Sequence, residues 1–320
     1  MIESYLSLIE KEITQLPLGS HPKSLYDPIR YIMKLGGKRL RPLLTCLSYS
    51  MYKEDVHMVI PYAAAVEAFH NFTLMHDDIM DKAPLRRGKP TVHEKFNSNT
   101  AILSGDVMLV KVYDMLLPLP AVQLQEVLKL FNRTASEVCE GQQLDMDFES
   151  LGKVSEKQYL EMIRLKTAVL LGFCLEFGAM LAIAPEDDRR ALYDFGVNIG
   201  IGFQLMDDLL DVYADKAKFG KQVGGDIVSN KKTFLLVKAL GSARGKSRTE
   251  LKKWLSLKKF DKRKKISAVT AIYNSLGIRE ATEKMAEKYF EEGYRCLDRI
   301  DNPKKAQLIS FARSLSARQK

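Results

Sequence analysis

Two acidic clusters with the same spacing set the strongest constraint on how this chain can fold. Each has the pattern Asp-Asp-x-x-Asp after an apolar stretch, and the second comes 130 residues after the first. Their members are Asp77, Asp78, Asp81, Asp207, Asp208 and Asp211. On a helix, carboxylates four residues apart lie about one turn from each other, and at about 4 Å they repel by about 4 kcal/mol in a dielectric of about 20. The pattern therefore predicts two acidic helix faces that need cations, and their hard oxygen ligands suit Mg²⁺.

Apolar residues follow a helical period through the whole chain, and no run of alternating strand residues interrupts it. We therefore expect an all-α protein. Asp27 and Pro28 are expected to open an early helix that stops at Gly36. Further helices are predicted near residues 60–82, 100–116, 121–149, 155–184, 186–213, 234–243, 248–257, 262–276, 278–298 and 303–316. No linker rich in Pro, Gly or Ser divides the sequence, so residues 1–320 are expected to form one domain.

The composition is that of a globular protein with a large core, since 46% of the 320 residues are hydrophobic and 28% are charged. The net charge of +9 is uneven, because residues 252–265 alone hold eight Lys or Arg and one Asp. We interpret this basic stretch as a solvated helical face or loop. Transient contact with an anionic membrane surface is the second interpretation. Nucleic acid is not an expected partner, because no recognition motif accompanies the charge.

The cysteines and the apolar segments bear on the compartment. The four cysteines have no CxxC or zinc-site spacing, which favours reduced thiols in a cytoplasmic protein. The N-terminal residues are amphipathic and lack the basic start and apolar run of a signal peptide. Residues 168–184 are apolar, but Glu176 lies in their middle. A buried helix is therefore expected there instead of a membrane span.

Basic side chains accompany the acidic clusters at predicted loops and helix ends. They are Lys38, Arg39, Arg41, Arg86, Arg87, Lys166, Lys221 and Lys231. Acidic residues alone would indicate only metal binding. Acidic and basic residues together indicate a metal-chelated polyphosphate, because guanidinium groups bind phosphate oxygens in pairs and ammonium groups act as point charges. We therefore expect a diphosphate substrate.

These motifs occur in an order that resembles a known family. The chain reads Gly-Gly-Lys-Arg-Leu-Arg-Pro at residues 36–42, Arg-Arg-Gly at residues 86–88 and Gly-Phe-Gln-Leu-Met-Asp-Asp-Leu-Leu-Asp at residues 202–211. With the first acidic cluster, it resembles the trans-isoprenyl diphosphate synthases, or polyprenyl synthetases, over nearly its whole length. It is most similar to the short-chain geranylgeranyl and farnesyl diphosphate synthases. The resemblance implies an isoprenoid synthase fold with long helices around a central active-site cavity, and a homodimer.

The resemblance also implies roles for individual residues. Asp77 and Asp81 would bind two Mg²⁺ ions and Asp207 a third, and the carboxylates that assist through waters would be Asp78, Asp208 and Asp211. The side chains that bind the allylic diphosphate would be Arg86, Lys166, Lys221 and Lys231. Those that bind isopentenyl diphosphate would be Lys38, Arg41, His70 and Arg87. Thr167 and Gln204 would lie near the carbon on which positive charge develops.

The implied reaction is a prenyl transfer between two diphosphates. The allylic carbon–oxygen bond ionises, so the charge on the leaving diphosphate must be stabilised where it develops. The double bond of isopentenyl diphosphate then attacks the allyl cation, and a proton passes to the departing diphosphate. This route requires no protein nucleophile, and the sequence has no convincing Ser/His/Asp or Cys/His arrangement.

Two positions can be assessed from the residues themselves. His70 lies seven residues before Asp77 and so returns to nearly the same helix face. Asn230 opens an Asn-Lys-Lys-Thr segment where the family commonly has Gly-Lys-x-Thr. Because Asn follows Gly in its tolerance of a left-handed backbone, we expect this loop to persist. Whether Lys231 or Lys232 contacts phosphate stays open.

Product length is expected to depend on the residues four and five positions before Asp77, which are Thr73 and Phe72. A large Phe72 beside a small Thr73 resembles the synthases that make the C20 geranylgeranyl product. Farnesyl diphosphate, with C15, and longer chains are the alternatives. On an ideal helical wheel, however, Phe72 points almost opposite to the acidic face, whereas Thr73 and Phe69 lie nearer to it.

Three other functions fit parts of the sequence. His76 with Asp77 resembles the His-Asp pair of metal-dependent phosphohydrolases, which would leave the motifs at residues 36–42 and 86–88 unexplained. A class I terpene cyclase would replace the second acidic cluster by an Asn/Ser/Glu pattern. An inactive helical partner subunit would be expected to lose one cluster, and this chain retains both.

Overall fold

The structure is a computed structural model that describes residues 1–214 and 224–317. Lys221, a predicted phosphate ligand, lies outside these residues. The described helices are α1 (Ile2–Gln15), α2 (Lys23–Lys34), α3 (Leu40–Ser50), α4 (Ile60–Met80), α5 (Val92–Lys95), α6 (Ser98–Leu116), α7 (Ala121–Ser150), α8 (Glu156–Ile163), α9 (Val169–Leu181), α10 (Glu186–Tyr213), α11 (Gly225–Ser229), α12 (Phe234–Ser242), α13 (Gly245–Ser256), α14 (Lys262–Ser275), α15 (Ile278–Asp298) and α16 (Lys305–Ala317). The predicted all-α class is confirmed.

Four short elements complete the described secondary structure. A 3-10 turn spans Val56–Met58, and a π-helical turn spans Arg164–Ala168 between α8 and α9. The strands β1 (Leu85–Arg86) and β2 (Lys89–Pro90) pair antiparallel, with Leu85 opposite Pro90. This hairpin follows the first acidic cluster and holds the two arginines of the Arg-Arg-Gly motif at its tip.

The described residues form two compact units. The first unit contains residues 1–132, 173–193 and 302–304, and the second contains residues 133–172, 194–301 and the described residues from 305 onward. The chain passes between the units within α7, α9 and α10. The organisation of residues 1–320 as one domain stays a prediction.

The core of the first unit surrounds α4, which contacts α1, α3 and α6. The early turns of α4 are apolar on every side, and Ala63, Ala64 and Ala65 are buried, as expected for a helix inside a core. One turn further on, Phe69 packs edge-on against Phe131 with their ring centroids 4.9 Å apart. This packing fixes the direction of the last turns of α4, where the first acidic cluster lies.

In the second unit, the later part of α10 buries one stripe of its surface. Ile201, Leu205, Leu209 and Val212 recur at a helical spacing, and all four are buried in two neighbouring apolar clusters. Asp207 lies off this stripe and is exposed. The amphipathic pattern of α10 thus presents the start of the second acidic cluster to solvent.

The single helix predicted over residues 155–184 is wrong, because the π-helical turn interrupts it. Close packing accompanies this turn. A Cβ atom at Gly141 of α7 would overlap the backbone nitrogen of Lys166, and one at Gly200 of α10 would lie 2.7 Å from the Cα of Ala168. The two glycines therefore allow α7 and α10 to reach the backbone of the turn, a kind of irregularity often found at functional sites.

The predicted start of α2 at Asp27 and Pro28 is also wrong. The helix begins at Lys23, and Pro28 is buried within it. The carbonyl of Pro22 accepts the N–H groups of Leu25 and Tyr26, so the first turn forms before Asp27 is reached. The predicted stop is confirmed, since Gly36 follows the end of the helix with a positive φ of 75°.

The apolar and cysteine patterns have the expected structural outcome. Residues 173–180 within α9 are buried apart from Glu176, and the rings of Phe173 and Phe177 stack with their centroids 5.2 Å apart. Of the described helices, none has the length and apolarity that crossing a membrane requires. All four cysteines are free thiols, and three of them are buried.

Candidate active site

The first acidic cluster closes α4 and divides into one buried and two more accessible carboxylates. Asp78 is only 1% exposed, and Arg86 donates to both of its oxygens, from Nε at 2.8 Å and from Nη2 at 2.7 Å. The same Arg86 nitrogen lies 3.7 Å from Oδ2 of Asp77. Asp77 is partly exposed and Asp81, which caps the helix, is exposed. The middle carboxylate is therefore bound directly by an arginine, where water-mediated metal binding was predicted.

The Asp78 pairing also raises the pKa of its partner, Arg86. Burial lowers the pKa of Arg86, but the hydrogen bonds from Asp78 and the charges of Asp77 and Asp81 raise it above its ordinary value. Arg86 therefore stays a cation at the edge of the first cluster. Its predicted role as a ligand of the allylic diphosphate stays a prediction, as do the metal roles of the cluster.

Arg41 and His70, predicted to bind isopentenyl diphosphate, are in direct contact. Nη1 of Arg41 donates to Nε2 of His70 at 3.0 Å. Because a guanidinium group can only donate, Nε2 accepts and the imidazole is neutral. Burial lowers the pKa of His70 well below its ordinary value, and the charges of Arg41 and Arg87 lower it further.

Arg87 lies against the loop that carries Lys38. A Cβ atom at Gly37 would come within 2.8 Å of Nη2 of Arg87. Gly37 also has a φ of 148°, which side chains rarely tolerate. A glycine at this position thus brings the guanidinium group onto the backbone beside Lys38, which is exposed. The structure therefore places these two predicted ligands of one diphosphate next to each other.

Arg39 has a structural environment that the sequence did not reveal. It is 4% exposed, and its guanidinium group donates to Glu67 at 2.7 Å, to Glu10 at 2.7 Å and to the carbonyl of Met33 at 3.0 Å. Asn71 donates to the backbone and side chain of Glu67. These contacts hold the loop between α2 and α3 against α4. The signal for Glu67 was present, since it is the single charge in an otherwise apolar run.

The second acidic cluster also contains one buried carboxylate and two more accessible ones. Asp208 is 4% exposed and accepts hydrogen bonds from the hydroxyl of Tyr159, from the N–H of Phe234 at 3.1 Å and from Nε2 of Gln204 at 3.4 Å. Burial raises its pKa to about 7, although the bonds from Tyr159 and Phe234 act in the opposite direction. Asp207 is exposed. Here again the middle carboxylate is held by protein groups.

Lys166 and Thr167, two further predicted site residues, each form a side-chain hydrogen bond within the second unit. Lys166, on the π-helical turn, donates to Asp145 at 2.7 Å. The next residue, Thr167, donates from its hydroxyl to Oε1 of Gln204 at 3.5 Å. Thr167, Gln204 and Asp208 therefore form a continuous polar chain. Sequence reasoning missed Asp145 and Tyr159, because only the three-dimensional fold brings them to these partners.

The segment from α11 to the start of α12 joins the second cluster at two points. The backbone N–H of Asp226 donates to Oδ2 of Asp211 at 2.9 Å, and the N–H of Phe234 donates to Asp208 as described. Lys231 lies between these two anchors and is exposed. Asn230, just before it, has a φ of 59°. The left-handed conformation predicted for Asn230 is therefore confirmed.

Carboxylate donors in both clusters fit a hard divalent cation. Asp81 and Asp207 are exposed, and Asp77 and Asp211 are partly exposed, whereas the middle carboxylates are buried and bound by protein groups. This donor chemistry suits Mg²⁺, which retains waters and shares its coordination with substrate phosphates. Within the described ranges, no three His, Cys, Asp or Glu side chains are gathered closely enough to form a metal cluster by themselves.

The fold and these residues define a class of protein. It is a helical enzyme type in which acidic clusters at helix ends, with arginine and lysine beside them, handle a metal-bound diphosphate. A sequence model of the polyprenyl synthetase family matches residues 22–273. The chain therefore belongs to the polyprenyl synthetase family, and the predicted family and prenyltransferase class are confirmed.

Individual relatives resemble the chain over nearly its whole length. It is 36% identical to the geranylgeranyl diphosphate synthase of Methanosarcina mazei, covering 99% of this chain and 97% of the relative. A crystal structure of a geranylgeranyl pyrophosphate synthase matches with a TM-score of 0.93 and 43% identity, over 98% and 97% of the two chains. A geranylgeranyl pyrophosphate synthase from Corynebacterium glutamicum, complexed with isoprenyl diphosphate and magnesium, matches with a TM-score of 0.86 and 30% identity over 98% of each chain.

Proposed function

We propose that this protein is a Mg²⁺-dependent, short-chain trans-prenyltransferase that condenses an allylic diphosphate with isopentenyl diphosphate. One observation carries the proposal. Each cluster keeps one exposed outer carboxylate, Asp81 or Asp207, while the middle ones, Asp78 and Asp208, are bound by the protein. An inactive subunit would have no need to retain such a separation twice. Relatives named as geranylgeranyl diphosphate synthases support geranylgeranyl diphosphate as the product.

Within this proposal, Asp77 and Asp81 would hold two Mg²⁺ ions and Asp207 would hold a third, with Asp211 assisting. When bound, the ions neutralise the charge that develops on the departing diphosphate. Asp78 and Asp208, which were expected to assist metal binding through waters, also orient Arg86, Tyr159 and the start of α12, and so position the groups around them.

The basic residues bind and orient the two diphosphates. Arg86 with Lys166 and Lys231, and Lys221 where the family pattern places it, hold the allylic group. Lys38, Arg41, His70 and Arg87 hold isopentenyl diphosphate, and the Arg41–His70 contact presents a neutral imidazole as one further polar group. Guanidinium forks and ammonium groups suit phosphate oxygens. Binding in this way fixes both substrates before the bond between them forms.

Besides Mg²⁺, the condensation needs these binding groups and a dry environment. The allylic carbon–oxygen bond breaks, the new carbon–carbon bond forms from the double bond of isopentenyl diphosphate, and the lost proton passes to the released diphosphate. Oxygens of Thr167 and Gln204, joined at 3.5 Å, stabilise the positive carbon. Apolar walls must exclude water, which would otherwise capture the cation.

Phe72 is the residue that we propose to limit product length, with Thr73 beside it. The ring of Phe72 contacts the ring of Phe69 at 5.8 Å and the imidazole of His76 at 4.8 Å between centroids. The hydroxyl of Thr73 donates to the carbonyl of His70 at 2.8 Å and so occupies little space. A large, packed ring next to a small residue supports a stop at C20.

A homodimer is part of the proposal, and one face of α6 supports it. Leu103 is 58% exposed, Val110 58% and Leu117, which caps the helix, 60%. Residues seven apart lie on the same side of a helix. Three large apolar side chains on one exposed stripe are suited to packing against the same stripe of a second copy.

Release of diphosphate tests the proposed function. The protein is incubated with an allylic diphosphate alone, with isopentenyl diphosphate alone and with both, in Mg²⁺ or with a chelator. We expect release that requires both substrates and Mg²⁺, and that falls by about 100-fold or more in Asp77→Asn and in Asp207→Asn. Full turnover in these variants, with unchanged circular dichroism, would refute the metal role of the outer carboxylates.

A further inference from the structure

One lysine of the basic stretch, residues 252–265, is buried. Lys265 is 0% exposed, whereas the three residues before it in α14 are exposed. Its ammonium group donates to Oδ1 of Asn230 at 2.6 Å and to the carbonyl of Val228 at 3.2 Å. Its Nζ also lies 4.2 Å from the centroid of the Phe260 ring. This side chain therefore does not belong to the solvated face that the charge run predicted.

Burial of an ammonium group is costly unless acceptors replace its water. Two oxygens and an aromatic face supply that replacement for Lys265. Burial also lowers the pKa of the Lys265 ammonium group. An apolar side chain of similar length would fill the same space without this desolvation cost. The two hydrogen bonds of Lys265 therefore serve a purpose other than filling space.

The bonds hold the left-handed residue at the end of α11. Asn230 accepts from Lys265 on one side of its amide and donates from Nδ2 to the carbonyl of Leu255 at 3.1 Å on the other. A side chain bound at both ends cannot rotate freely. With φ fixed at 59°, Asn230 sets the direction in which the chain leaves α11 towards Lys231.

The same segment is bound to the second acidic cluster. Before Lys231, the N–H of Asp226 donates to Asp211, and after it, the N–H of Phe234 donates to Asp208. The N–H of Lys231 itself donates to the carbonyl of Asp226 at 2.9 Å. Residues 226–234 thus form a hydrogen-bonded frame, which Asp208 and Asp211 hold from one side and Lys265, through Asn230, holds from another.

We propose that Lys265 is a positioning residue for the allylic diphosphate, which it influences by fixing through Asn230 the loop that carries Lys231. This inference rests on the proposed function, since Lys231 is a ligand only if a diphosphate binds there. Lys265 does not touch the substrate. Outer residues that orient direct ligands typically contribute tenfold or more to affinity or activity.

Replacement of Lys265 by Met tests the proposal, because Met retains the length and removes both hydrogen bonds. We expect the KM for the allylic diphosphate to rise about tenfold, with the KM for isopentenyl diphosphate within about twofold of wild type. Lys264→Met is the matched control, since Lys264 is the exposed neighbour in α14, and it is expected to leave both constants unchanged. An equal rise in both constants, or no rise in either, would overturn the positioning role.

Asn230→Gly provides a second, independent variant, because Gly keeps the left-handed backbone and removes the acceptor. We expect the same selective rise in KM, and in a Lys265→Met/Asn230→Gly double variant a rise smaller than the two single effects combined, because both changes break the Lys265–Asn230 hydrogen bond. Additive effects would contradict the proposal. A single variant that loses its helical circular dichroism cannot be compared with wild type. The double variant then replaces it in the comparison, because it removes the buried ammonium group together with its acceptor.

Binding separates this inference from the proposed function. Calorimetric titration with inorganic pyrophosphate and MgCl₂ requires no turnover. If the wild type makes no prenyl product, the proposed function fails, but about tenfold weaker pyrophosphate binding in Lys265→Met, with unchanged binding in Lys264→Met, still supports the positioning role. Equal pyrophosphate affinity in all three proteins would overturn it.

Discussion

The aspartates of one cluster share a sequence pattern but differ in their surroundings. Asp78 and Asp208 are buried and bound by Arg86 and by Tyr159 with Phe234, respectively. Asp81 and Asp207 are exposed. A helix explains the difference, because adjacent positions point about 100° apart. Substitutions within one cluster should therefore have different effects on stability and on turnover.

Asp78→Asn and Asp81→Asn form a matched pair for this expectation. Asp78→Asn weakens a two-bond, charge-assisted contact with Arg86, and we expect the free energy of unfolding to fall by about 2 kcal/mol. Asp81→Asn should change it by less than about 0.5 kcal/mol and yet lower turnover by about 100-fold. Urea denaturation and diphosphate release measure the two effects. Equal stability of the two variants would contradict the assigned difference.

His70 gives a pH-dependent prediction. Its pKa in the folded protein lies well below the value of 6.5 that it has when unfolded, so the unfolded state takes up the proton first as the pH falls. Its contribution to stability is therefore present above pH 6.5 and declines as the pH drops below that value. We expect His70→Gln, which can still accept from Arg41, to lose less stability than wild type between about pH 8 and about pH 5. Urea denaturation at both pH values checks this, and parallel losses would contradict it.

At the scale of elements, the π-helical turn depends on a close approach of α7. A side chain at Gly141 would overlap the backbone of Lys166, so Gly141→Ala should lower the free energy of unfolding by about 2 kcal/mol. It should also reduce turnover, because the turn carries Lys166 and Thr167. Gly152→Ala is the control, as nothing lies within 4 Å of its Cβ position. A Gly141→Ala protein as stable and active as this control would contradict the role of the contact.

Sequence patterns predicted where the helices lie better than where a helix is interrupted. Apolar periodicity located α6 and α10, because each buries a repeating stripe. The conformation of Asn230 was expected from the glycine that the family commonly has there, together with the backbone preference of Asn. The π-helical turn was not predicted, since it depends on where α7 and α10 approach it. Motif order indicated Asp77, Asp207 and their basic partners, whereas the Arg39–Glu67 and Lys166–Asp145 pairs join residues 28 and 21 positions apart, which no local pattern reveals.

At the scale of the whole molecule, the exposed stripe of α6 predicts self-association. Val110→Lys places a charge in the middle of this stripe, and a buried charge without a partner is strongly unfavourable. We expect the wild type at twice the chain mass of 36.3 kDa and the variant at the monomer mass, by light scattering after size-exclusion chromatography. Met58→Lys is the control, since Met58 is 64% exposed away from α6. A dimeric Val110→Lys protein would exclude this stripe as the interface.

The mass of the prenyl product tests the account most directly. The protein is incubated with farnesyl diphosphate, isotopically labelled isopentenyl diphosphate and Mg²⁺, and the products are analysed by mass spectrometry. The account predicts a C20 diphosphate that contains one labelled unit, and none when Mg²⁺ is chelated. Unextended farnesyl diphosphate in the presence of Mg²⁺ would contradict the proposed C20 product, and products of C25 or longer would contradict the limit assigned to Phe72.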